Sequence, residues 1–257
     1  MHGVMFGILG AKGGVGASLL SVNLAAVLAG AGKTLLIDLQ PLSGGDDLLL
    51  DVSPDNSWFD LLFVLGEINA NHLKQACIMH DSGLAFLAAP AAWPRSGEWK
   101  KVPGLLAELK HFYDWILVDL SPRAPEEINL WDVLSSCLLV LTPDPPALRS
   151  GKRWLHAMPV DVQEKTQLVL SQISTHHPAN PQKIAASLGT QLLCTLPIDV
   201  RAVGYQVNFG ASCVHDRGSP FGKAVWDLAQ RIVRDRSAHP RVRSGIPSRM
   251  DVGQELK

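Results

Sequence analysis

The amino-acid sequence predicts an α/β domain, a doubly wound and mostly parallel sheet with helices on both faces. Three observations carry this prediction. Short apolar runs alternate with helical patterns along the chain, as expected when crossover helices bury both faces of a parallel sheet. Hydrophobic residues make up 47% of the 257 residues and charged residues only 18%, below the roughly one quarter usual for soluble domains. A glycine-rich stretch, Ala11-Lys12-Gly13-Gly14-Val15-Gly16-Ala17-Ser18, separates the first apolar run from the first helix.

Taken in order, Val4 to Leu9 reads as a buried strand and Leu19 to Ala31 as an Ala/Leu/Val-rich helix closed by Gly32 and Lys33. Thr34 to Asp38 is the second strand. Leu39 to Asp47 reads as a loop, after which Asp55-Asn56-Ser57 offers caps for a helix through Leu65. Ile78 to His80 and Leu84 to Ala88 flank Asp81-Ser82-Gly83, a hairpin turn. Residues 89–104, with Pro90, Trp93, Pro94, Gly97, Trp99 and Pro103, read as loop, followed by a helix to Phe112. Trp115 to Asp119 and Cys137 to Thr142 are buried strands. Pro143-Asp144-Pro145 opens a helix bearing Arg149, Lys152 and Arg153. Gln167 to Ser171 and Leu192 to Leu196 complete the sheet, and Ser219-Pro220 caps a last amphipathic helix ending near Val233.

The domain is therefore assigned to residues 1–233, with 234–257 an expected disordered basic tail (Arg234, Arg236, Arg241, Arg243, Arg249). That tail lacks the apolar face of a membrane-surface helix. A net charge of −1 gives no global attraction to nucleic acid or acidic lipid. No signal-peptide pattern is visible, and no run reaches the ~18 apolar residues needed to span a bilayer. A cytoplasmic protein is expected. Cys77, Cys137, Cys194 and Cys213 show no CxxC and no zinc spacing. His176-His177-Pro178 reads as a surface loop, because adjacent histidines point apart and no third ligand is near.

The glycine-rich stretch is where chemistry is expected. Three glycines before a helix let the backbone turn tightly and aim successive N–H groups into one concavity, a phosphate nest. The P-loop pattern GxxxxGK[ST] fits with two departures: Ala11 stands for the first glycine and Ala17 for the phosphate lysine. A plain turn does not need Lys12, and no dinucleotide GxGxxG can be drawn through residues 7–18, although Asp38 would suit that motif's ribose acid. Candidate phosphate ligands are Lys12, Gly13, Gly14, Val15, Gly16, Ala17, Ser18 and Leu19. Ser18 is placed to ligate Mg²⁺. Asp38 and Asp119, each at the C-terminal end of a strand, join it as metal residues; an apolar strand ending in Asp119 is the Walker B arrangement.

KGGVGAS followed by Ser21, Val22, Asn23 and Leu24 resembles the deviant P-loop of the ParA/MinD class of ATPases, closest to its CpaE/TadZ branch of pilus-assembly proteins. The resemblance extends over roughly residues 4–233. It includes Asp46, Leu48 to Leu50, Asp51, Pro54, Asp60 and Leu61, then Ser82-Gly83-Leu84, Ala88-Ala89-Pro90, Leu148-Arg149 and Lys152-Arg153. It implies a homodimer in which Lys12 reaches the nucleotide held by the partner subunit, with ATP and Mg²⁺ as cofactors. Leu196-Pro197-Ile198-Asp199 resembles the segment near the adenine, making Pro197 and Asp199 cofactor residues. Ser171 stands where many relatives place a base-recognising Asn. A receiver-like N-terminal domain, frequent in such relatives, is not expected.

The resemblance also places a second carboxylate at position 40, where it positions the attacking water; this sequence has Gln40. Lys12 and Gln40 are thus the catalytic candidates, and feeble hydrolysis is expected. The implied role is a localisation or assembly factor acting with pilus or secretion proteins, peripheral at the membrane or cell pole. A MinD-like regulator of cellulose synthesis or flagellar number is the alternative within the class. A DNA-partitioning ATPase is the alternative outside it, with DNA binding not expected.

Overall fold

The computed structural model describes residues 3–120, 129–174 and 180–238. His176-His177-Pro178 and the tail beyond Ala238 lie outside these. The strands are β1 Val4–Gly10, β2 Thr34–Leu39, β3 Ile78–Met79, β4 Ala85–Leu87, β5 Trp115–Leu120, β6 Ser136–Leu141, β7 Thr166–Ile173 and β8 Gln191–Pro197. They form one sheet in the order β3-β4-β2-β5-β1-β6-β7-β8. Every neighbouring pair is parallel except the β3–β4 hairpin at the edge. The helices are α1 Ala17–Ala29, α2 Asp46–Leu50, α3 Trp58–Leu61, α4 Ala70–Ala76, α5 Ser96–Trp99 and α6 Val102–Leu109. After β6 come α7 Pro145–Ala157, α8 Val160–Glu164, α9 Pro181–Leu188, α10 Val200–Phe209 and α11 Pro220–Ala238.

Strand alternation divides the interior into two layers. Leu35, Ile37, Ile116 and Val118 pack with Trp58, Trp99 and Leu105 on one face. Ile8, Leu36 and Leu117 pack with α1 and α11 on the other. Helix α1 is buried from Leu20 through Leu28, because the sheet covers one side and α11 the other. Asn23, the buried amide in its middle, is fully paired. It donates to the Leu19 carbonyl and to Gln206 Oε1, each at 2.8 Å, and accepts from the Ser212 hydroxyl and the Val214 N–H. Gln206 in turn donates to the Leu49 carbonyl at 3.2 Å, so one buried side chain ties α10 to both α1 and α2.

Several element bounds differ from the sequence reading, each for a local reason. Helix α1 starts at Ala17 and ends at Ala29, where Gly30 and Ala31 donate back to Val27 and Leu28. The loop read over Leu39 to Asp47 already contains the start of α2. The helix read through Leu65 is capped by Ser57 as expected but breaks into α3 and a 3-10 turn at Leu62–Val64. There the Glu108 carboxylate accepts the Gly66 and Ile68 N–H groups at 2.9 and 3.0 Å and draws the chain off the helical path. Residues 89–104 are not all loop: the Glu98 carboxylate accepts the Arg95 N–H, and Trp99 is buried with its ring 5.1 Å from Trp58. Together these hold α5, and Pro103 sits in the first turn of α6, where no N–H is required. Helix α6 ends at Leu109 rather than Phe112.

The last helix passes the expected end at Val233 and reaches Ala238. Arg236 holds the added turn: its guanidinium lies 4.4 Å from the centre of the Trp115 ring and donates to the Asp114 carbonyl at 2.6 Å. Residues 234–236 therefore belong to the folded domain, not to a tail. Arg236→Ala is expected to cost about 1–2 kcal/mol, measured by denaturant unfolding; an unchanged midpoint would show that the clasp carries no stability.

Candidate functional site

The site lies at the C-terminal ends of the central strands, where parallel α/β sheets bind ligands. Parallel register sets Asp38 of β2 directly beside Asp119 of β5, and Ile8 of β1 on the other side of Asp119. Both acids follow Leu36 and Leu117 at a two-residue interval, so both carboxyls face the α1 layer. The first residues of α1 arrive at the same place through the glycine-rich loop.

Within that loop Gly14 and Gly16 have φ of 77° and 89°, in the left-handed region, which explains glycine at both. Gly10 is needed for space, since a Cβ there would lie 3.1 Å from Val15 and 3.3 Å from Ala17. Gly13 has neither constraint. Ala11, where the pattern expects glycine, is buried and donates its N–H to the Val140 carbonyl at 2.8 Å. Gly151 of α7 lies nearby, where a Cβ would come 2.7 Å from the Leu141 side chain but only into ordinary contact with the Ala11 methyl. Gly16 caps α1 without any side chain closing the helix start, and the first helical bond runs from Leu20 N–H to the Gly16 carbonyl. The N–H groups of Ala17, Ser18 and Leu19 therefore point out of the helix end. This is a cradle for an anion, and its form does not depend on the missing lysine.

Ser18 accepts from the Gln40 amide at 3.4 Å, and the Gln40 N–H donates to Asp38 Oδ1 at 2.8 Å. Gln40 thus stands against the serine of the loop. Lys12 is half-exposed and lies 3.9 Å from Asp144, whose carboxylate also caps α7 at Ala147 and accepts the Thr142 hydroxyl. So exposed a pair contributes about 0–1 kcal/mol and leaves the lysine free to move. Asp144 is held below the usual carboxylate range, first by the Thr142 hydroxyl.

Asp38, Asp46 and Asp119 form a buried group of carboxyls, and neither oxygen of Asp46 or Asp119 has a hydrogen-bond partner of good geometry among the described residues. Burial pushes Asp38 up to about 8, with the Asp119 charge adding to it. Burial also lifts Asp119 to about 6, opposed by the nearby Ser18 hydroxyl, Asp46 and Gln40. Asp46 is raised by burial and by both neighbours. Unpaired buried carboxylates are costly unless a cation or proton compensates them. That orphaned charge beside a serine hydroxyl fits a Mg²⁺ site completed by water and phosphate oxygens.

A cavity of about 400 Å³ adjoins the loop, lined by Gly16, Leu19, Ser171, Pro197, Asp199, Val203 and Phe221 among others. Pro197 and Leu19 thus line one cavity. The Asp199 carboxylate is engaged elsewhere, capping α10 at Ala202 and accepting the Ser219 hydroxyl, so only the rest of Asp199 is left to line the cavity. Sequence reasoning missed Gln172. A bulge between β7 and β8 gives it φ of 57° and turns its amide onto the Gly14 carbonyl at 2.9 Å. It also assigned no role to Asp46, although the Asp46-Asp47 pair in a Gly/Ser loop was the available signal.

A glycine-rich turn leading into α1, facing acid-tipped parallel strands, defines the architecture of P-loop nucleoside triphosphatases. No family profile matches the chain. One 122-residue segment is 34% identical to the chromosome-partitioning ATPase Soj of Treponema pallidum, covering 43% of this chain and 46% of that protein. An 88-residue segment is 40% identical to an uncharacterized Mycobacterium tuberculosis protein, covering 34% of this chain and 24% of the relative. The chain thus spans less than half the length of either relative. A ParA family ATPase from Chlorobium tepidum superposes with a TM-score of 0.77 at 20% identity over 89% of this chain and 98% of its own. MinD of Pyrococcus horikoshii, solved with Mg-ADP, superposes at 0.75 and 21% identity over 94% and 100%. The chain has the ParA/MinD P-loop ATPase fold.

Proposed function

We propose that this chain binds ATP with Mg²⁺ and uses the nucleotide as a switch for dimerisation rather than as fuel for rapid turnover. The observation that carries this reading is the open helix start at Gly16 facing orphaned buried carboxyls. Ser18 and Asp119, with Asp38 beside them, would hold Mg²⁺; when bound, the ion neutralises phosphate oxygens. The amides of the loop bind the phosphate chain, and the cavity at Pro197 takes the base. Gln40 orients water but accepts no proton, so hydrolysis stays well below ~1 s⁻¹. Lys12, held only loosely by Asp144, is free to reach a nucleotide in a second subunit. Affinity is then coupled to self-association.

The biological role we infer is that of a CpaE/TadZ-like localisation or assembly factor for pilus or secretion machinery, peripheral at the membrane or pole. This rests on the GGVGAS loop and the sequence segments akin to that branch. Among the described residues no helix is long and apolar enough to cross a membrane. A second reading, DNA partitioning, is favoured by the Soj match and by Arg149, Lys152 and Arg153, all exposed on α7. A salt-dependent shift assay on duplex DNA separates the two. Calorimetric titration of ATP·Mg²⁺ at several protein concentrations tests the switch. Apparent affinity should rise as the dimer fraction rises; no binding at millimolar nucleotide would overturn the reading.

A further inference from the structure

The proposed function gives Asp46 no role, yet it is only 1% exposed and among the described residues neither of its oxygens has a hydrogen-bond partner of good geometry. The charges that act on it are those of Asp119, Asp38 and Asp47, and its carboxyl meets that of Asp119. Between two ionised carboxylates there is no donor, so only a shared proton or a cation can hold Asp46 and Asp119 together. The rest of the site favours a cation. Ala17 contributes no ammonium, and Lys12 stands half in solvent against Asp144. The anion cradle is therefore backed by three buried acids, and whatever charge they carry opposes a triphosphate entering it. Among the described residues no three acidic, histidine or cysteine side chains converge to cage a metal by themselves. Two carboxylates and a hydroxyl are nonetheless enough for Mg²⁺, which keeps several of its waters.

We propose that Asp46 is a direct ligand of the divalent cation, joining Asp119 and Ser18, so that the cation enters ahead of the nucleotide. The inference deepens the nucleotide-site reading above and rests on it. The ion would convert a repelling pocket into one that receives phosphate, the task a P-loop lysine performs in part elsewhere.

Mn²⁺ is the probe, followed by electron paramagnetic resonance in nucleotide-free protein. Wild type should bind one ion, Asp46→Asn should bind it roughly ten- to hundredfold more weakly, and Asp47→Asn should resemble wild type. Mg²⁺ alone should raise the melting temperature of wild type but not of Asp46→Asn. In EDTA the amide variant should melt no lower than wild type, whereas a purely structural role for Asp46 predicts a lower value. Should that variant not fold, Fe²⁺ and ascorbate applied to wild type should cleave the backbone near both 46 and 119. Cleavage near 119 alone, no Mn²⁺ bound without nucleotide, or equal Mn²⁺ affinity in Asp46→Asn overturns the proposal. ATP·Mg²⁺ binding measured in parallel keeps the two readings apart. Binding of ATP with no cation bound beforehand sinks only the cation step, and Mn²⁺ binding without any ATP binding sinks the nucleotide reading.

Discussion

Replacing Ala17 with lysine is expected to tighten ATP·Mg²⁺ binding by roughly ten- to hundredfold, as each new charge-assisted hydrogen bond adds about 1.5–3 kcal/mol. The cradle can accept the change. Position 17 opens α1 at a helix end with no side-chain cap, and three buried acids, Asp38 and Asp119 at strand ends and Asp46 at the start of α2, favour an added positive charge. Lys12→Ala should move affinity the other way. It should also weaken nucleotide-dependent dimerisation, because in our reading this lysine acts on the partner's phosphates. Calorimetry paired with sedimentation velocity resolves the two effects. An Ala17→Lys protein with wild-type affinity would mean that phosphate is not held at this loop.

Trp58→Ala is expected to lower stability by about 3–5 kcal/mol, the usual range for deleting a fully buried large aromatic side chain. Trp58 has no exposed surface, lies against Trp99, and donates its indole N–H to the Asp38 carbonyl at 3.0 Å. It therefore fixes the end of β2 from behind while the Asp38 side chain faces the site. Trp58→Phe should keep most of the packing and lose the hydrogen bond, a smaller loss of about 1–2 kcal/mol. Urea unfolding of the three proteins separates packing from hydrogen bonding. Equal losses in Ala and Phe variants would assign the effect to the bond alone.

The parallel strands were legible because burial on both faces writes them as continuous apolar runs, and the turn from β1 to α1 because glycine is needed at φ of 77° and 89°. Asp38 and Asp119 were legible as acids ending such runs. What escaped reading depends on distant contacts. The turn of α5 exists because Trp99 finds Trp58, and the end of α11 because Arg236 finds Trp115. Gln172 lies just past the expected end of its strand, and only the bulge against β8 turns it to the loop. Asp199 lies beside the cavity, but its carboxylate is taken up by Ala202 and Ser219, which no spacing rule reveals.

Gln206 grips the Leu49 carbonyl with one atom of its amide and Asn23 with the other, so it works as a tie-rod across the mouth of the molecule. Leu49 belongs to the short helix that begins with Asp46, and Gln206 to the helix beside the cavity at Pro197. The two helices are thereby joined directly, by a path that does not run through the candidate ligand site. In the reading proposed above, occupancy at the metal end would be linked to the width of the base cleft.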